Sequence, residues 1–283
     1  MALEKATEKL TEKLTEKLNA KIAIQTDKAI AKTAHHIEKL GLLADRLAAV
    51  DLWTRAAPGM RRPRYSRDLI ANEAMAIADA EGLDAVSMRR IAAQLEAGTM
   101  TLYHYVRTKD ELLALLVDAF FGEVIVPAEA PWPRGWRASI TLIAERTKAA
   151  LERHPWVLDV TDDPRLGPNA VRHFDQAWQA LTGLSASFDD KLDLIMAVDE
   201  LVFGFVMHGR SDLHHAEAEN SELVGYVGEL LRHGSYPALA GLVREIGLSE
   251  LWTKIADRRH DKGRFERSLA KLLAGFESGF GRQ

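Results

Sequence analysis

The stretch that most constrains this chain is residues 87–109, SMRRIAAQLEAGTMTLYHYVRTK. It reads as two short helices separated by a tight break. Ser87 is an N-cap, since a serine hydroxyl can accept from the amides of the first turn. Met88, Ile91, Ala92 and Leu95 follow at i, i+3, i+4 and i+7, which predicts one inward face and leaves Arg89 and Arg90 off it. Glu96-Ala97-Gly98 is the break. Thr99, Met100 and Thr101 open a second helix, with Leu102 and Val106 on its inner side. That spacing leaves Thr99, Thr101, Tyr103, His104 and Tyr105 pointing elsewhere. Hydroxyls, phenols and an imidazole on a short exposed helix suit a groove-reading surface: they bond phosphates, and side chains near a helix start reach base edges.

The same residues resemble the helix-turn-helix of the tetracycline-repressor (TetR) family of bacterial transcription regulators, above all TLYHYV followed by Lys109. The preceding SRDLIANEAMAIADAEGLDAVSMRRIAAQL is similar to that family's first helix, glycine-containing turn and second helix, so the resemblance covers residues 66–125. It implies that Ser87 and Arg89 approach DNA from the second helix, Arg89 at a base edge or phosphate. It implies that Thr99, Met100 and Thr101 lie nearest the bases, Met100 against a thymine methyl and Thr101 on a base or phosphate. Tyr103, His104, Tyr105 and Lys109 match positions that grip the backbone. Glu96 departs from the pattern, standing where a glycine commonly makes the turn; a non-glycine residue at positive φ costs about 1 kcal/mol.

Around this head the chain reads as all-α in three parts: an N-terminal amphipathic extension at 1–55, a DNA-binding domain at 61–110, and a C-terminal effector-binding and dimerisation domain at 111–283. The extension repeats TEKL from Thr7, Thr11 and Thr15, placing Leu10, Leu14, Leu18 and Ile22 on one stripe. Such a helix needs a partner, which suits a packing or oligomerisation arm; a DNA-contacting arm is the alternative, opposed by acids that nearly balance the lysines. Ala56-Ala57-Pro58-Gly59 is a breaker, and Arg61, Arg62, Arg64 and Arg67 follow as a basic arm for phosphates or the minor groove, or as a solvated linker. Ser66 caps the next helix, whose inner face is Ile70, Ala74, Ile77 and Ala78, and Gly82 ends it in a left-handed conformation. Asp110 to Phe121 carry a broad apolar face, as a helix touching two domains must.

The net charge of −4 confines any nucleic-acid surface to a local patch. With no cysteine there is no disulfide or thiolate metal site, which suits a cytoplasmic protein. No apolar run approaches the ~18 residues of a membrane span, and the lysine-bearing N-terminus lacks the apolar core of a secretory signal. Beyond residue 134 the periodicity predicts five or six helices. Phe174, Trp178 and Leu181 are expected to face inward on one. LIMAVDELVFGFVMHG is apolar nearly all round and is expected to be central. The last helix, from about Asp261 to Phe280, is expected to form half of a four-helix dimer interface; the alternative is a helix buried in a monomer.

Trp136, Trp156, Phe174, Trp178, Phe203 and Met207, with Asp199 and His208 as polar groups, are the candidate lining of a small-molecule pocket, each aromatic also suiting ordinary core. His208, His214, His215 and Asp212 have some look of a metal site, but their spacing matches no known motif, and a solvated helix end is preferred. No phosphate loop, nucleophile elbow or HExxH is present, so no cofactor or catalytic residue is expected. The expected function is a ligand-responsive repressor that binds a palindromic double-stranded DNA operator as a homodimer and is released by a small-molecule effector. Two alternatives stand beside it: an architectural DNA-binding protein with a filled C-terminal core, and an enzyme in which Asp199, Glu200 and His208 converge on one cavity.

Overall fold

The computed structural model describes residues 51–56, 64–160, 167–212, 220–261 and 263–280, with 210–212, 220–223 and 259–260 described by backbone only. The chain divides into two compact units, Met1–Ala56 and Ala57–Gln283. In the first, residues 51–54 are helical and Arg55 pairs with Asp51 at 2.6 Å. The TEKL stripe lies outside the described residues.

In the second unit every regular element among the described residues is helical. The first, α1 (Arg67–Glu81), starts where the Ser66 hydroxyl accepts from the Leu69 amide at 3.0 Å. Ile70, Ala71, Ala74, Met75, Ile77 and Ala78 form its buried face. It ends at Gly82, whose φ of 86° and ψ of 164° are not the left-handed helical cap expected; this is an extended, positive-φ conformation that glycine adopts almost alone. A 3-10 turn (Leu83–Ala85) leads to α2 (Met88–Gln94), capped by Ser87 through the Arg90 amide, and then to α3 (Thr99–Tyr103). These three helices share one small core.

Helix α4 (Lys109–Val124) leaves this head and enters the body, packing on α1 at one end and on α5 (Trp136–Arg153) and α6 (Pro168–Ala180) further along. A 3-10 turn (Pro155–Asp159) links α5 towards α6 and touches α1. The long α7 (Phe188–Asp212) packs on α5 and on the last helix, α11 (Arg264–Gly279). Between them come α8 (Asn220–Arg232), α9 (Pro237–Ile246) and α10 (Leu248–His260), which pack on one another. Gly247, at φ 81°, breaks what would otherwise be one helix into α9 and α10.

Two expectations are corrected here. On α6 the buried face is Ala170, His173 and Ala177, while Phe174 is 49% exposed and Trp178 half-buried. The alanines let α6 lie close against α4, and the bulky pair stacks outside at 6.4 Å instead. Leu181 is inward as expected. Helix α7 is central on one side only: Leu194, Ile195, Val198, Val202 and Val206 are buried, whereas Met196 and Met207 are more than half exposed. No helix among the described residues is long and apolar enough to cross a membrane.

Candidate nucleic-acid interface and effector cavity

Helix α3 is only five residues long, so its orientation depends on what it is bolted to. Leu102 and Val106 are fully buried, and Tyr105 joins them at 3% exposure. Tyr105 is therefore core and does not belong to the reading surface: residues 102, 105 and 106 stand at i, i+3 and i+4 on the inner face. Arg67 is corrected with it. Its Nε donates to the Tyr105 carbonyl at 3.3 Å, so this arginine turns inward to hold the end of the reading segment. Of the other arginines of the arm, Arg64 is exposed with its guanidinium over the Tyr65 ring, and Arg61 and Arg62 lie outside the described residues.

The outward face of α3 carries what remains. Met100 is 75% exposed and Tyr103 40% exposed; Thr99 and Thr101 are half-buried, and His104 is exposed. The break before it is strained as expected: Glu96 sits at φ 49°. The Tyr65 hydroxyl donates to the Glu96 carbonyl at 3.3 Å, which helps hold the turn. On α2 the two arginines separate. Arg90 pairs with Glu81 at 2.5 Å, whereas Arg89 is exposed and pairs with no carboxylate among the described residues. Ser87 is exposed, and its hydroxyl accepts from the Arg90 amide, which leaves its O–H to donate outward. Lys109 stands exposed at the first turn of α4, where Thr108 accepts from the Glu111 amide and the Glu111 carboxylate accepts from the Arg107 amide at 2.7 Å. Arg89, Met100, Tyr103, His104 and Lys109 are thus side chains with solvent-facing reach on a rigid frame.

The body grips α4 through polar contacts that the sequence did not disclose. The buried Asp118 carboxylate accepts from the Asn169 and Ala170 amides, at 2.8 and 3.2 Å, and so caps α6 from a neighbouring helix. Burial pushes this carboxyl up, and the two amides offset that only in part. Asn169 also donates to the Asp118 carbonyl, and Gln176 exchanges two bonds with the Val126 backbone, at 2.8 and 2.9 Å. From α5, the Arg146 guanidinium donates to the carbonyls of Glu123, Val124 and Ile125, closing the end of α4. His173, held among these helices, is neutral, because burial lowers it to about 4.

At the junction of head and body, His154 follows the last turn of α5. Its Nδ1 lies 2.8 Å from Asp79 Oδ1 of α1 and its Nε2 lies 3.1 Å from Glu123 Oε2 of α4. Trp156 Nε1 donates to the same Asp79 oxygen at 2.7 Å, and Arg153 pairs with the same Glu123 oxygen. Burial would raise Glu123, but the bonds from His154 and Arg153 outweigh it and hold its carboxyl below the usual range. Trp156 is therefore removed from the ligand-pocket set: its ring is buried at this junction and its indole N–H is committed to the head.

The remaining pocket candidates are not brought together. Trp136 lines a cavity of about 410 Å³ with Trp132, Gly135, Ser139, Gln179, Ala180, Thr182 and Gly183. His208 lines a second groove of about 290 Å³ between α7 and α11, with Glu200, Leu201, Gly204, Phe205, Arg264 and Ser268. Phe174 and Trp178 form an outer cluster with Phe188, and Met207 is 54% exposed. Phe203 lines neither space. Glu200 and His208 share the second groove, and Asp199 lines neither of these two spaces; burial raises the Asp199 carboxyl to about 6. His214 and His215 lie outside the described residues, among which no cluster of metal-binding side chains is found. The cavity-lining Trp132, Ser139, Gln179 and Thr182 gave no periodic signal, because they come from helix ends and connections.

Comparison with known proteins places both halves. Residues 70–116 match the family model described as bacterial regulatory proteins, tetR family, and residues 130–279 match the tetracyclin repressor-like C-terminal domain. The HTH-type transcriptional repressor DrrR1 of Streptomyces coeruleorubidus is 36% identical over 195 residues, spanning 64% of this chain and 70% of that protein. An HTH-type transcriptional regulator of Saccharopolyspora erythraea is 33% identical over 193 residues, 67% of this chain and 80% of its own. Among solved structures, ActR of Streptomyces coelicolor in complex with actinorhodin superposes with a TM-score of 0.60 at 26% identity, covering 77% of this chain and 98% of that one. Its complex with (S)-DNPA gives 0.58 at 27%, covering 78% and 100%.

Proposed function

The chain belongs to the TetR family of bacterial transcription regulators, and from that premise we propose that it is a repressor whose operator binding is relieved by an aromatic small molecule. The DNA-binding domain is read as 61–110 and the effector and dimerisation domain as 111–283, with α4 running from one to the other. In this reading Met100 and Thr101 contact base edges, Arg89 reaches a base or phosphate, and Tyr103, His104 and Lys109 grip the backbone. The observation that carries it is the outward face of α3: exposed Met100 and Tyr103 on a helix held by buried Leu102, Tyr105 and Val106.

A homodimer fits both ends of the molecule. Two heads would read half-sites about one helical turn, ~34 Å, apart. The exposed side of α7, with Met196 and Met207, and the small residues Ala270, Ala274 and Gly275 on the outer side of α11 would supply a four-helix seam. The effector is assigned to the cavity at Trp132 and Trp136. Its volume of about 410 Å³ lies within the ~300–1,000 Å³ of small-molecule sites, and its indoles with the Ser139, Gln179 and Thr182 polar groups suit a flat ligand bearing oxygens. ActR was captured with actinorhodin and with (S)-DNPA, which supports that class. No catalytic role is assigned to any residue.

Footprinting of the genomic DNA flanking the coding sequence, with and without actinorhodin as probe, tests this. A two-fold symmetric footprint that fades as the probe is added is the expected result. Protection with no sequence preference favours the architectural alternative, and a symmetric footprint that no aromatic probe alters removes the effector assignment.

A further inference from the structure

We propose that His154 is a positioning residue that carries two ring N–H groups, and with them a positive charge, and so pins the reading head to the end of α4. The argument is one of hydrogen-bond accounting. An indole N–H can only donate, so Trp156 marks Asp79 Oδ1 as an acceptor. A guanidinium can only donate, so Arg153 marks Glu123 Oε2 as an acceptor. The two nitrogens of His154 lie 2.8 and 3.1 Å from those same two oxygens. A neutral imidazole has one N–H and would aim its other lone pair at a carboxylate; only the imidazolium satisfies both.

The charges agree with this. Asp79 comes from α1, Glu123 from α4 and Arg153 from α5, while Asp159 on the following turn is exposed. With the ring protonated the cluster is neutral: two carboxylates, one guanidinium, one imidazolium. Removing the proton leaves a net negative charge in a site where His154 is only 6% exposed and the Phe120 ring stands edge-on at 6.4 Å. One bond must then be lost. The Arg146 bonds to the last carbonyls of α4 lie outside this cluster and persist, so α4 stays on α5, while the head loses its bridge to α4 and keeps the Trp156 bond, which leaves it more loosely held. The lock follows from geometry alone; its consequence for operator binding rests on the DNA-reading proposal above.

Ring ¹⁵N spectra of the full chain, with His154→Gln used to assign the signal, test the first step: two protonated nitrogens near neutral pH are expected, and one bare nitrogen overturns the proposal. Hydrogen exchange, corrected for its intrinsic pH dependence, tests the second at about pH 6 and about pH 8.5. In the native chain the amides of α1–α3 should exchange several-fold faster at the higher pH, with no change in residues 120–126. Asp79→Asn, which keeps the side chain's shape and removes one charged acceptor, should flatten that pH response. Identical responses in the native chain and Asp79→Asn overturn the lock, whether or not His154→Gln folds. A lock that passes both tests in a chain leaving no footprint refutes the DNA-reading proposal alone, and a footprint with a neutral His154 refutes the lock alone.

Discussion

Lys109→Ala is the substitution from which most can be learned. The lysine is exposed at the start of α4 and pairs with no carboxylate among the described residues, so removing it disturbs no internal contact. If it grips a phosphate, each head loses one neutralised charge, and a dimer loses two. Each neutralised phosphate contributes about 0.9 to the slope of log affinity against log salt, so the variant's slope should be shallower by about 1.8. Between about 50 and about 200 mM salt, a fourfold rise, the native dimer should lose about 12-fold more affinity than the variant. Fluorescence anisotropy on the footprinted fragment and on a scrambled fragment, across that range, measures both slopes. The loss should be the same on the two DNAs, because a phosphate contact carries no sequence information. An unchanged slope would remove Lys109 from the interface and, with it, the docking of α4's first turn on the backbone.

Other substitutions separate the remaining roles. Tyr103→Phe should weaken binding to all sequences alike, whereas Thr101→Ala should relax preference at one base pair by about 1–3 kcal/mol in competition titrations; unchanged preference would misplace α3. Gly82→Ala meets no neighbouring atom, so its cost is backbone strain alone, about 1–3 kcal/mol in urea unfolding, and a neutral result would contradict the φ of 86°. Trp136→Ala should reduce actinorhodin affinity at least about tenfold in calorimetry while leaving the footprint intact, as expected for a group that lines the effector cavity and lies outside the reading head. Asp199 has its carboxyl raised to about 6, so the folded chain holds that proton more tightly than the unfolded one. Its contribution is favourable at low pH and lost as pH rises from about 4 through about 6, leaving a penalty of at most roughly 3 kcal/mol near neutrality. Asp199→Asn should therefore stabilise the protein at about pH 7.5 and do little at about pH 4; destabilisation at the higher pH would refute the assignment.

The head was legible because its signals are local. Ser66 and Ser87 cap the helices they precede, and the apolar spacing of α1 and α2 marks their buried faces. Even Glu96 betrayed itself as a non-glycine residue at a turn needing positive φ. Tyr105 was misread from its chemistry rather than its place, since its i+3 relation to Leu102 already put it inside. On α6 two stripes compete: Val171, Phe174 and Trp178 against Ala170, His173 and Ala177. Hydropathy favours the first, but close approach to α4, drawn in by Asp118 and Asn169, demands the second. Of the cavity only Trp136 was legible, because the rest of its lining is gathered from helix ends and connections whose spacing carries no period.

The strength of these contacts decides where an effector signal can act. The cavity borders Gln179 and Thr182 at the far end of α6, and α6 is tied to α4 by three hydrogen bonds at Asp118 and to Val126, just beyond α4, by two more from Gln176. At about 1 kcal/mol net for each, parting α6 from α4 and Val126 costs about 5 kcal/mol. A typical coupling free energy between two sites is only about 1–3 kcal/mol, so a ligand cannot separate them and must move them as one body. At the junction the head's Asp79 is held by two bonds, from His154 and from Trp156, a cost on the order of the coupling itself. On the proposed effector assignment, a displacement that begins at the indoles would therefore travel along α6 and α4 together, and the polar contacts of Asp79 are where the molecule would yield.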